Sequence, residues 1–235
     1  EYQLTRSGEH ARRFLTGFNG YLQTDGYSGY DKVPDVTRCG CWAHVRRKFQ
    51  EAMPRDGDKS GSTAAVGFDY CNRLFAIEDK LKELTPEERK KKRQELSKPV
   101  LEAYWSWLET VNPLQGSKLG EAVVYSLKQK DTLETFLEDG QIELSNNRAE
   151  NCLRPFVVGR KAWLFADTKK GATASAIVYS IVETAKANNL NVYKYLTHIF
   201  RTMPAMDFRK NPSLLEDLLP WSAKLPEDCR NNKNQ

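Results

Sequence analysis

Two short strand-like segments sit close together near the front of the chain, and from Trp42 onward the apolar periodicity is that of helices. This arrangement limits the fold more than any other feature. The segments are Tyr21-Leu22-Gln23-Thr24, which delivers Asp25 at its end, and Val36-Thr37-Arg38-Cys39. Between them Gly26-Tyr27-Ser28-Gly29-Tyr30 breaks the first strand, because two glycines and a small residue favour a tight turn. A short helix is expected over residues 9–15 and a turn over 17–20. Strands set among short helices indicate an α/β front.

Helical periodicity then takes over. Residues 42–53 form a basic helix, and Phe68, Cys71, Leu74, Phe75, Leu81 and Leu84 mark a longer one. Thr85-Pro86-Glu87-Glu88 is a helix start: Thr85 caps, Pro86 sits where its missing N–H is harmless, and Glu88 closes a capping box. The run Arg89-Lys90-Lys91-Lys92-Arg93 reads as a solvated face. Leu96, Val100, Leu101, Tyr104, Trp105 and Leu108 give the buried side of the same helix. Residues 117–138 supply another helix, and 145–156 the next. Trp163-Leu164-Phe165 reads as a short apolar strand or connector. Ala174, Ile177, Val178, Ile181, Val182 and Ala185 form an amphipathic stripe, repeated by Val192, Tyr195, Leu196, Ile199, Phe200 and Met203. The tail after Leu218-Leu219-Pro220-Trp221 is expected to dock at the Trp and fray beyond it.

Composition narrows the function class. The 235 residues are 40% hydrophobic, with 36 Lys+Arg against 31 Asp+Glu. That apolar fraction excludes a disordered chain. No apolar run approaches the ~18 residues of a membrane span, so a membrane partner is not expected. The net charge of +5 permits nucleic acid as a partner without demanding it. Cys39, Cys41, Cys71, Cys152 and Cys229 are odd in number and irregular in spacing, which suits a reducing cytosol better than a disulfide framework.

Four features could carry chemistry. Asp25, at a strand end before a glycine turn, projects where ligands bind in α/β folds; it is equally an ordinary Asp-Gly turn residue. Glu150 lies in Ser145-Asn146-Asn147-Arg148-Ala149-Glu150-Asn151. With Asn147 as cap it would close a capping box; flanked by Arg148 and Arg154 it could instead stand beside a metal and phosphates. Cys39-x-Cys41-x-x-His44 has zinc-like spacing, but a structural site needs four ligands. His10 and His198 are the only other histidines, so no zinc is expected, and a buried His with packed thiols is the plainer role. Last, Arg46, Arg47 and Lys48 follow His44 on one helix, while Arg148, Arg154, Arg160, Lys161, Lys169 and Lys170 are interleaved with aromatic residues, a pattern suited to phosphate contact.

Together these segments resemble the insertion sequence 66 family of bacterial transposases. The matching stretches are Gly17–Tyr30, Gly40–Phe49, Ser145–Asn151, Pro155–Lys161, Trp163–Phe165 and Leu218–Trp221, in that order. The resemblance implies a ribonuclease-H-like fold with a large all-helical insertion and an Asp, Asp, Glu triad. On that template Asp25 is the second Asp, at the end of the fourth strand, and Glu150 is the Glu on the helix after the insertion. Domain 1–176 would be catalytic, with the insertion over about 55–140, a C-terminal helical element over 177–225, and a tail over 226–235. Cys41 and His44 match a Cys-x-x-His signature and, with Asn147, would support the site.

The implied activity is DNA strand cleavage and strand transfer by two Mg²⁺ or Mn²⁺ ions held by carboxylates. The implied partner is DNA, both element ends and target, with Arg46, Arg47, Lys48, Arg148, Arg154, Arg160 and Lys161 on its backbone. A homo-oligomer and element-encoded accessory proteins are compatible with this reading, as is a cytoplasmic, nucleoid-associated location. Glu1 and Glu9 are the only acids before Asp25, and neither sits in a matching motif. The chain also begins without Met. It is therefore expected to be a C-terminal portion without the first catalytic Asp, inactive alone. A non-enzymatic DNA-binding or partner-binding remnant is the alternative, and a structural helical protein a third.

Overall fold

The computed structural model describes residues 3–54, 61–163, 166 and 168–231. Residues 5–151 form one compact unit, and the chain from Cys152 onward, with the first four residues, forms a second. The described structure is mostly helical, with one two-stranded sheet. None of the described helices is long and apolar enough to cross a membrane.

In the first unit, α1 (Gly8–Phe14) leads to β1 (Gly20–Gln23), a 3-10 turn (Ser28–Lys32) and β2 (Val36–Cys39). The strands are parallel, in register from Gly20 opposite Val36 to Gln23 opposite Cys39. β1 thus begins one residue earlier than the apolar pattern suggests, although Thr24 N–H still donates to Cys39 O at 2.9 Å. Parallel pairing has a consequence for function: both strands end at the same edge, so Asp25 and the segment Gly40-Cys41 emerge side by side.

The helices of this unit are α2 (Trp42–Ala52), α3 (Thr63–Lys80), α4 (Pro86–Thr110), α5 (Lys118–Lys128) and α6 (Lys130–Glu134), followed by a 3-10 turn (Thr135–Leu137). The single helix expected over 117–138 is therefore three pieces. α2 turns Trp42, Val45 and Phe49 inward at i, i+3 and i+7, against Cys71 and Leu74 of α3 and Tyr104 and Leu108 of α4. Trp42 meets Tyr104 edge-on at 5.4 Å and its Nε1–H donates to Leu133 O at 2.9 Å. The Thr85–Glu88 capping box forms as its local pattern requires, a cap of about 1 kcal/mol.

The basic run on α4 departs from expectation. Lys90, Lys91 and Lys92 are exposed, but Arg93 is fully buried. Its guanidinium pairs with both oxygens of Glu78 and donates to the carbonyls of Phe136, Asp139 and Ile142 at 2.7–2.9 Å. Arg89 is half-buried and binds the carbonyls of Leu81, Lys82 and Gly140. These carbonyls end helices or line turns; those of Leu81 and Asp139 also accept the Leu84 and Ile142 N–H groups, and the guanidinium forks supply the remaining donors. Gly140 has to be glycine, since a Cβ there would lie 1.8 Å from Pro86 O. Leu96, expected inside, is 45% exposed.

α7 (Asn147–Trp163) begins in the first unit and continues into the second. Trp163 is thus the last helical residue rather than the start of a strand; Leu164 and Phe165 lie outside the described residues. The second unit adds α8 (Lys169–Ala187) and α9 (Val192–Thr202). Its buried cluster is small: Ala185, Leu190, Tyr195 and Leu225, with Tyr195 O–H donating to Leu218 O at 2.8 Å. Of the α8 stripe, Ile177, Val178 and Ile181 remain exposed. The tail also differs from expectation: Trp221 is exposed, while Leu218, Leu225 and Cys229 are buried. Leu190 and Arg230 pair as an antiparallel bridge, so the chain stays docked past the Trp. All five thiols are free.

Two measurements check this account. Arg93→Leu should destabilise the chain by about 3–5 kcal/mol in a denaturant titration, because it leaves the partly buried Glu78 carboxylate and the carbonyls of Phe136 and Ile142 without their guanidinium partner; Glu78→Gln, which keeps hydrogen bonding, should cost less. Burial pushes the Cys71 thiol up to about 12, against the opposing charge of Arg46, and the Cys39 thiol to about 11. Their folded values lie above the unfolded one, so the stability from holding them neutral is whole below the unfolded value. It is lost as pH rises through the folded ones. The thermal midpoint should fall steadily above pH about 8.5, and Cys71→Ala should remove part of that slope.

Candidate functional site

Asp25 stands just beyond β1, half-exposed. Its Oδ1 accepts the Tyr27 N–H at 3.0 Å, so the side chain makes the turn bond typical of Asp-Gly. One carboxylate oxygen remains outside that bond. The turn is anchored from β2 by Arg38, whose Nη2 donates at 3.1 Å to both Thr24 Oγ1 and the Asp25 backbone carbonyl. Its Nη1 binds Asp31. From α5, Tyr125 packs against Gly26, where a Cβ would come within 2.7 Å of its ring. The Tyr125 phenol is pushed up to about 12 by burial and then by the nearby charges of Cys41 and Asp25, with the Gly26 N–H opposing.

Glu150 sits on the first turn of α7. The helix begins at Asn147, and the Asn146 carbonyl accepts the Glu150 N–H at 3.0 Å. Asn147 is therefore the first helical residue, one position later than the cap role expected of it. The Glu150 carboxylate faces α2: Oε1 is 3.4 Å from His44 Nε2, and Oε2 is 4.0 Å from Arg47 Nη2. His44, Arg47 and Lys48 share one face of α2, at i, i+3 and i+4. Lys48 reaches the other way, its Nζ 5.1 Å from the Tyr125 ring centre. One helix thus touches Glu150 through His44 and Arg47, and the neighbourhood of Asp25 through Lys48 and Tyr125.

The remaining expected residues scatter. Arg46 is half-buried, its guanidinium over Phe68 at 5.0 Å and Phe75 at 5.5 Å, two partly buried rings packed against the helical core. Arg148 is exposed and, with Lys82, Arg89 and Asn147, lines a polar cleft of about 540 Å³. Arg154 is exposed in the second unit. The side chains of Arg160 and Lys161 lie outside the described residues. Cys41 is buried at the start of α2. Burial pushes its thiol up, while the N–H groups of Asn146, His44 and Ala43 face the sulfur and oppose that shift.

Sequence reasoning missed Arg38 and Tyr125. Arg38 left one signal, a charged residue inside a four-residue strand directly before the Cys41 segment. Tyr125 left none, since an aromatic on an amphipathic helix reads as core.

The donor set has the right chemistry for a hard cation but is partial. Asp25 and Glu150 offer carboxylate oxygens, and among the described residues no three His, Cys, Asp or Glu side chains are grouped to hold a metal ion.

With this geometry in hand, comparison with known proteins is specific. Residues 1–174 match the transposase IS66 family, and residues 180–221 match the IS66 C-terminal element. Two uncharacterized proteins of Sinorhizobium fredii, y4hP and y4qI, are 32% and 30% identical over 93% of this chain and 42% of their own length. A third, y4jD, is 29% identical over 95% of this chain and 45% of its own. The chain spans less than half the length of these relatives. No solved structure matches it.

Gly26→Ala should push the Tyr125 ring off the Asp25 turn. In a spectrophotometric titration of tyrosine, the group ionising near pH 12 should move toward the ordinary phenol value, while Gly61→Ala, at an open glycine, should leave it in place.

Proposed function

This chain belongs to the IS66 family of transposases, and from that premise we propose that it is the catalytic-domain portion, with C-terminal element, of a DDE-type transposase. A role in transposition follows from the family itself. The finer reading is divalent-metal-dependent cleavage and transfer of DNA strands. One observation supports it most: Asp25 leaves the β1 edge beside the start of α2, and the same helix faces Glu150 with His44 and Arg47. Two carboxylates far apart in sequence thereby flank a single element, and both are partly open to solvent.

On this reading Asp25 and Glu150 would hold Mg²⁺ or Mn²⁺, whose preference for carboxylate oxygen they satisfy. When bound, such ions supply an activated oxygen nucleophile and stabilise the leaving oxygen of an in-line phosphoryl displacement. The chain's own residues do the rest. Arg38 and Tyr125 fix the Asp25 turn, and Arg47, Lys48 and Arg148 offer cations to the phosphate backbone. The family resemblance adds Arg154, Arg160 and Lys161 to the residues that would contact DNA. The β1–β2 pair would be this chain's share of a ribonuclease-H-like sheet, with the helices of about 55–140 as its insertion. The triad's first Asp has no counterpart in this sequence, and the proposal places it in the remainder of a longer protein. DNA ends and target would be the partners.

The test uses the purified chain. It should bind duplex DNA with an affinity that falls steeply with salt, and Arg47→Ala with Arg148→Ala should weaken that binding and flatten its salt dependence. Mn²⁺ binding followed by electron paramagnetic resonance should weaken in Asp25→Asn and in Glu150→Gln. No Mg²⁺-dependent cleavage of element ends is expected from this chain alone, and its detection would show that the two carboxylates suffice. Mn²⁺ binding that ignores both substitutions would sink the catalytic reading and leave a non-enzymatic DNA-binding protein.

A further inference from the structure

We propose that Cys41, Trp42 and His44 form a docking rail that fixes where the Glu150 carboxylate stands relative to the strand edge carrying Asp25. The inference rests on the reading of Glu150 as a site carboxylate and deepens it: His44 and Cys41 become positioning residues that act through the first turn of α7.

Three contacts meet in a compact run. The Trp42 N–H donates to Leu144 O at 3.1 Å. The Asn146 N–H faces the Cys41 sulfur. His44 Nε2 stands 3.4 Å from Glu150 Oε1, with Arg47 beyond it on the other oxygen. The first turn of α2 is therefore laid along 144–150, the residues that enter and begin α7. Its own place is set on the far side, where the buried Trp42 ring donates to Leu133 O and Cys39 pairs with Gln23 in the sheet. Strand edge, α2 and Glu150 are one mechanical series.

The ring chemistry of His44 fits a single task. A neutral imidazole that turns an Nε2–H toward Glu150 has its lone pair on Nδ1. Nδ1 is buried and has no hydrogen-bond partner in the structure. The imidazole thus keeps a buried nitrogen unused, and its other nitrogen stands 3.4 Å from Glu150 Oε1, a contact that becomes an ion pair when the ring is protonated. Cys41, fully buried, presents its sulfur to backbone N–H groups while His44 turns to the carboxylate. The Cys-x-x-His spacing here serves two separate partners three residues apart on a helix start.

Amide hydrogen exchange on the intact chain reads this directly. In His44→Asn, whose shorter amide cannot reach the Nε2 position, amides of residues 146–151 should exchange about tenfold faster or more, while those of the α4 core around Tyr104 should not change. In His44→Gln, whose amide nitrogen falls near that position, protection should return. Cys41→Ala should loosen the same six amides, and Cys41→Ser should restore them. Unchanged exchange over 146–151 in His44→Asn would overturn the proposal. So would a uniform loss across α2, α4 and α7 in both His44 variants, since His44 would then be core packing only. Mn²⁺ titration of the same set separates the two readings. If the exchange pattern holds but Asp25→Asn and Glu150→Gln leave Mn²⁺ binding untouched, the rail stands and the catalytic reading fails. If those two lose binding while His44→Asn keeps both binding and protection, the rail fails alone.

Discussion

The buried guanidinium of Arg93 is the constraint on which the first unit depends. A charge taken out of water is stable only when its hydrogen-bonding capacity is met. Arg93 meets it with Glu78 of α3 and three carbonyls of the return segment 136–142. That geometry ties together α3, α4 and the turn that brings the chain back from the helices. Two residues beyond Ile142, Leu144 accepts the Trp42 N–H, and six beyond that stands Glu150. The position of the candidate site is thus inherited from an ion pair that has no part in it.

The other carboxylate is held by different means. Asp25 depends on parallel pairing, which puts its turn and the entry to α2 at one edge. It depends also on Arg38, which reaches across the pair to the Asp25 carbonyl. Tyr125 closes the turn from above because Gly26 lacks a Cβ. A helix from the body of the first unit therefore contributes to the surroundings of a strand-end aspartate. This is how a helical block can influence a site whose chemistry lies at a sheet edge.

How much of this was legible depended on the range of the interaction. The Thr85–Pro86–Glu88 helix start could be read because its parts lie within one turn of one another. The strands were legible within a residue, and α2, α8 and α9 by their periodicity. The Arg89–Arg93 run was not: five adjacent basic residues look alike, and only packing distinguishes Arg93, at the inward position, from the exposed lysines. Asp25 and Glu150 could be nominated from their motifs. The Asp25 turn bond is local and legible in its Asp-Gly pair, whereas Glu150 facing α2 is a tertiary fact, set by contacts between residues more than a hundred positions apart. Trp221 shows the same limit from the apolar side, since a tryptophan in a tail suggests an anchor yet Leu218 and Leu225 are the residues that bury.

The two units also differ in what their apolar residues accomplish. The first packs Trp42, Phe49, Tyr104 and Trp105 into a continuous aromatic core. At roughly 25 cal/mol per Å² of buried apolar surface, such side chains carry its stability without help from surface charge. This frees the exposed ion pairs for other work. An Arg47–Glu150 contact at 4.0 Å between half-exposed groups adds little to stability, so its place on the α2 face has to be judged by geometry. That geometry is consistent: His44 and Arg47 take one oxygen each of the same carboxylate. A carboxylate flanked at both oxygens by side chains of one helix has fewer orientations open to it before any ligand arrives, and ordering in advance lowers what binding must later supply.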